Sequence, residues 1–153
     1  MARACCLEGC TVEMITNNQT ITLVNTKREG RVKRFFTTVF HGVNVVKLDR
    51  NVKTEKGYVK ASTFSIRIPY NSIMDCGKGF INADEFNRKQ SADVDSFFTV
   101  TSGDYIIFGE TSQEIDEDFL TTDHNVHKII DCADNTSALT TACKHIRIFC
   151  NEH

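Results

Sequence analysis

Ser96–Glu110 reads SFFTVTSGDYIIFGE, and this stretch decides the fold class. It is predicted to form two strands folded about Ser102-Gly103-Asp104. In the first arm Phe98 and Val100 share one face, with Thr99 and Thr101 opposite. The second arm, Tyr105-Ile106-Ile107-Phe108, is apolar on both faces, so it needs cover on both. The second cover comes either from elsewhere in the chain or from another copy of it.

Outward from this stretch, strand signals dominate. Residues 19–26 alternate Ile21 and Leu23 against Thr20 and Thr22. Residues 34–48 are dense in Phe and Val, with Gly42 placed for a bulge, and residues 58–70 alternate through Phe64, Ile66 and Ile68. Residues 127–134 and 144–151 supply two more strands. Between them, Glu29-Gly30 reads as a hairpin connection, 48–58 as a charged loop and 75–79 as a glycine loop. A short helix is predicted within 82–95, capped by Asn82 or Asp84, and a helical turn near Thr122-Asp123. The sum is an all-β small barrel or sandwich of six or seven strands with one or two short helices. The expected division is an N-terminal arm, 1–18, and a single domain, 19–153.

Composition narrows the function classes. The chain has 153 residues, 41% of them hydrophobic, which suits one core. No run approaches the roughly 18 apolar residues of a membrane span, and the N-terminus lacks the apolar region of a signal peptide. These features predict a soluble chain made in a reducing cytosol. The seven cysteines then read as mostly free thiols. Net charge is −2, but residues 1–69 carry +7 and residues 70–153 carry −9. Solvated faces are the plain explanation. Phosphate binding by the basic half, or a basic side of one copy meeting an acidic side of the next, are the functional ones.

Chemistry finds little footing. Cys5, Cys6 and Cys10 lack the spacing of a zinc knuckle. Cys143 and His145 share a strand face that Cys150 does not, so no metal site is predicted. Cys76, beside Gly77 and Gly79, is a conceivable nucleophile, with His41, His124, His127 or His145 as a base, but no motif spacing joins them. CGKGF is too short for a phosphate loop. The carboxylates Glu114, Asp116, Glu117 and Asp118 have no glycine among them to shape a calcium loop. No catalytic residue and no cofactor is predicted. Lys33-Arg34-Phe35-Phe36 hints at a nucleic-acid strand face, although adjacent aromatics point to opposite sides.

The order of segments carries more. ITLVNT is followed by TTVFHGVNVV, TFSIRIP, FFTVTSGDYIIFGE, KIIDCADNT and HIRIFCNEH. This series resembles a family of small prophage structural proteins, and its layout is similar to the head-closure, or stopper, proteins of tailed-phage necks. It departs from them in carrying no Trp after His-Gly-Val or in the last strand. The resemblance implies a non-enzymatic virion protein, assembled in the host cytoplasm and placed at the head–tail junction. It further implies a homo-oligomeric ring, six- or twelve-fold, between portal or adaptor and the tail terminator or tail tube. DNA would pass through the lumen without sequence recognition, and no membrane is involved. A tail terminator or tail-completion protein at the same junction is the alternative, and a nucleic-acid-binding barrel is the alternative from another class. The expected interface is basic over 27–34 and 47–60, through Lys33, Arg34, Arg50, Lys53 and Lys56, and acidic over 110–123, through Glu114, Asp116, Glu117 and Asp118. The loop 48–58 is the expected extension toward a neighbour or the lumen; its plainer reading is a flexible hairpin tip.

Overall fold

The computed structural model describes residues 18–111, 113–123, 125–137 and 143–151. Residues 1–17 of the expected arm, with Cys5, Cys6 and Cys10, lie outside them, as do His124 and His153. Six strands close into an antiparallel barrel in the order β1-β2-β3-β8-β7-β6. They are β1 (Gln19–Glu29), β2 (Val32–Thr54), β3 (Gly57–Pro69), β6 (Tyr105–Phe108), β7 (Val126–Asp134) and β8 (His145–Asn151). A separate parallel pair, β4 (Gly79–Phe80) and β5 (Phe97–Phe98), lies outside the barrel wall. Four short helices complete the described residues: α1 (Tyr70–Asp75), α2 (Ala83–Arg88), α3 (Ser91–Val94) and α4 (Glu117–Thr122). The all-β barrel is therefore as the sequence predicts, with two helices more than expected.

Alternation builds the interior. Ile21 and Leu23 of β1, Ile66 and Ile68 of β3, Ile106 of β6, Ile129 of β7, and Ile146, Ile148 and Cys150 of β8 all point inward and are buried. On β2 the inward residues are Phe40 and Val43, an odd spacing. The bulge at His41-Gly42 resolves it: Thr20 pairs with His41 and Gln19 with Val43, so one residue is skipped. Gly42 takes φ 74°, a left-handed conformation that glycine adopts without a Cβ penalty.

The first arm of the opening stretch departs from expectation. Phe97–Phe98 does not fold back on β6; it pairs in parallel with Gly79–Phe80. The Ser102-Gly103 turn forms, with Gly103 at φ 96°, but it swings the chain across one end of the barrel. There Phe98 plugs the core, with its ring centroid 5.0 Å from Phe40 and 5.3 Å from Phe80. Burial of a large aromatic outweighs the few ladder bonds of a short hairpin. Helix α1 closes the same end beside it, with Ile73 in the core and Ser72 Oγ donating to the His41 carbonyl. The sequence reading had placed no helix there.

The second arm answers the question of cover. Ile106 faces the core, and Ile107 packs outside with Val24, Leu120 and Val126. Helix α4 carries Leu120 over that outer face, with Phe119 and Ile115 at its margin. Asp116 caps the helix, its carboxylate accepting the Phe119 amide at 2.7 Å. The chain covers this strand itself.

The segment 48–58 is not a loop. β2 continues to Thr54 and β3 begins at Gly57, so the connection is only Glu55-Lys56. Thr54 Oγ1 donates to the Gly57 carbonyl at 2.8 Å, and Gly57 takes φ 112°. Of the charged residues that suggested a loop, Asp49, Arg50 and Lys53 lie on the β2 arm of a two-stranded ribbon, and Glu55 and Lys56 form its connection.

Candidate functional site

The ribbon and the barrel end at its root are the features left over once the core is accounted for. β1 supports β2 as far as Gln19–Val43, and β8 supports β3 as far as Thr63–Asn151. Beyond those pairs, among the described residues, β2 and β3 pair only with each other, in unbroken register out to Thr54–Gly57. Gln19 softens the transition: its side-chain carbonyl accepts the Val45 amide at 2.7 Å, where the next ladder bond would fall. Val46, Leu48 and Tyr58 are exposed on the ribbon, Tyr58 to 74%.

At the root the barrel is open where the other end is plugged. A cavity of about 420 Å³ is walled by Ile21, Val45, Phe64 and Phe108, with Gln19 and Lys47 at its edge. Phe64 and Phe108 meet edge to face at 4.9 Å. His127 lies buried against both rings, 4.4 Å from Phe108 and 4.9 Å from Phe64, and its Nδ1 is 3.0 Å from the Asn151 carbonyl. The imidazole is thus a packed wall element.

The expected interface residues fall into two groups. Lys53 and Lys56 are exposed at the ribbon tip, and Arg50 holds a backbone position between them and the root. Lys33 and Arg34 sit at the far end of the barrel, where the acidic segment joins them within the same chain. Lys33 Nζ lies 2.6 Å from Glu117 Oε1, Arg34 Nε lies 3.1 Å from Glu29, and Glu114 shares a surface cavity with Lys33 and Arg34. Asp116 is committed to capping α4, and Asp118 is exposed in its first turn. Part of the opposed charge is therefore spent inside one chain. These pairs are solvent-exposed and contribute little to stability.

The chemical candidates separate in the same way. Cys76 Sγ bonds to the Ile73 carbonyl at 3.0 Å and accepts the Lys78 amide at 3.4 Å. His41 pairs with Thr20 Oγ1 at 3.1 Å, and His145 with Asn135 and the Cys143 carbonyl. Cys150 is buried, and desolvation pushes its thiol up to about 12. No three His, Cys, Asp or Glu side chains converge for a metal among the described residues. Phe35 packs against the Leu120 cluster and Phe36 stands edge-on to Phe86 of α2 at 6.2 Å; both rings are half-buried and line the same surface cavity as Lys33 and Arg34. None of the described helices is long and apolar enough to cross a membrane.

Sequence reasoning missed one polar cluster. Asp104 is 3% exposed and accepts from Asn25 Nδ2 at 2.9 Å and from the Thr26 amide at 3.2 Å. Desolvation, partly offset by those two hydrogen bonds, pushes its carboxyl up to about 6. The Gly-Asp turn was its only signal.

A family model matches residues 15–151, from just before β1 through the end of β8. The chain belongs to DUF6751, a family of unknown function. No curated protein and no solved structure matches it. The match spans the whole DUF6751 barrel together with its ribbon, so the ribbon lies within the family region.

Proposed function

We propose that this chain is a non-enzymatic building block of a tailed-phage neck, of the head-closure type, whose copies join into a ring between portal and tail. The observation that carries the reading is the β2–β3 ribbon. A hairpin of two strands is at best marginally stable in water, and this one runs past the barrel with apolar residues in solvent. A neighbouring copy that accepts the ribbon supplies the missing cover. The ordered series of segments that resembles prophage structural proteins points the same way. The tight core and the dispersed thiols and imidazoles fit a scaffold better than a catalyst.

The test is the state of the purified chain. Light scattering and electron microscopy of negatively stained particles should find closed rings whose formation depends on salt. A monomer at every concentration, alone and mixed with portal or tail-tube protein, overturns the reading.

A further inference from the structure

The ribbon tip carries an anchor and the barrel root carries a socket, at opposite ends of one hairpin. Tyr58 pairs directly with Lys53 across the ribbon, so the two side chains share a face and stand side by side. That face is continuous with the barrel interior: Val45 packs on the core, Lys47 edges the cavity, and Asp49 accepts Ser62 Oγ at 2.5 Å on the same side. An aromatic exposed to 74%, on an arm that no other described strand pairs with, is unusual for a residue of its size.

The socket has the matching character. Its walls are aliphatic and aromatic, its volume of about 420 Å³ exceeds that of a phenol ring, and Gln19 and Lys47 lie at its edge. Glu110, exposed, follows Gly109 at the same edge. A Tyr58 ring seated there would bring Lys53 and Lys56 toward Glu110, a complementary arrangement of charge. The ring cannot come from the same copy. Val45 to Lys53 spans about 26 Å at roughly 3.3 Å per residue, and the register is unbroken.

We infer that Tyr58 at the ribbon tip of one copy inserts into the Ile21-Val45-Phe64-Phe108 socket of the next, with Lys53 facing Glu110 across the seam. Anchor and socket are different patches of one surface, so the contact either closes reciprocally as a two-fold pair or runs head-to-tail, the form that the building-block reading requires. Repeated, it generates a ring or a filament. It rests on the building-block reading and specifies the joint.

The experiment uses the full chain with benzoylphenylalanine at position 58, mixed with isotope-labelled wild type and irradiated. Cross-links should join labelled and unlabelled copies and map to peptides containing 19–21, 45–47 or 108–110. Tyr58→Ala lies on an exposed tip and should leave the barrel folded while weakening self-association about thirtyfold, as for an interface hot spot. Lys53→Glu should weaken association, and Glu110→Lys in the same chain should restore it. Cross-links that are intramolecular or map elsewhere, or a Tyr58→Ala chain that associates like wild type, overturn the socket. Assembly that survives Tyr58→Ala but is lost when residues 49–62 are replaced by an Asn-Gly turn sinks the socket alone and spares the building-block reading. A wild-type chain that never self-associates sinks both.

Discussion

The Asn25 side-chain amide donates to the Asp104 carboxylate at 2.9 Å, tying the turn before β6 to the strand that β6 must join. Thr26 adds its backbone amide to the other carboxylate oxygen at 3.2 Å. This small cluster fixes where the last seam of the barrel closes.

It also makes stability depend on pH. Burial raises the Asp104 carboxyl from 3.8 to about 6, so folding favours its protonated form. The contribution is fully present below the unfolded value and is lost as pH rises through about 6. Over that window the shift corresponds to about 3 kcal/mol. Thermal unfolding followed from about pH 4 to pH 7 should show the midpoint falling up to about pH 6 and levelling off above it. Asp104→Asn should flatten that segment of the profile, and an unchanged profile would place the titration elsewhere.

Phe98 should be the most costly single truncation at the plugged end. It is fully buried and touches both Phe40 and Phe80. Phe98→Ala should destabilise by about 3–5 kcal/mol in chemical denaturation, since the parallel β4–β5 pair is too short to close around the cavity. A loss below 1 kcal/mol would mean that the end is not packed as described.

Leu120 tests whether α4 is the outer cover of β6. Leu120→Ala should cost about 2–4 kcal/mol. Leu120→Asp should expose Ile107 and Val126 and raise binding of a hydrophobic dye in the folded state. Dye binding equal to wild type would show another element shielding that face.

The thiols should react in a defined order. Cys150 is fully buried with its thiol pushed up to about 12, whereas Cys76, Cys132 and Cys143 are half-buried. In a maleimide time course read by peptide mass, Cys150 should remain unmodified until the protein unfolds. Early labelling of Cys150 would show that β8 opens locally.

Much of the fold was legible because period-two alternation of residue type survives in β1, β3 and β8, even though the outer faces of β1 and β3 are themselves covered at Thr22, Val24, Asn25 and Arg67. Gly42 announced its bulge for a steric reason that needs no tertiary context. Of the 48–58 reading only the hairpin tip holds; its strands were hidden because Asp49, Arg50, Lys53, Glu55 and Lys56 crowd one stretch, and charge pattern alone does not distinguish a loop from a two-stranded arm in water. Phe97–Phe98 was misread because its pairing with Gly79–Phe80 is set by packing over the barrel end, a contact that no local pattern encodes. The socket at Phe64 and Phe108 was invisible for a related reason: strands far apart in sequence assemble it, and each residue alone reads as ordinary core.

Phe98 and its neighbours also bear on passage. Eight strands give a barrel interior just wide enough for side chains to fill, and this wall has six. A cylinder that narrow, stoppered by aromatic rings at one end, has no bore of its own. In any annulus built from such protomers, the hole is the gap they surround, and its diameter is set by how many stand in the circle rather than by the interior of any one of them.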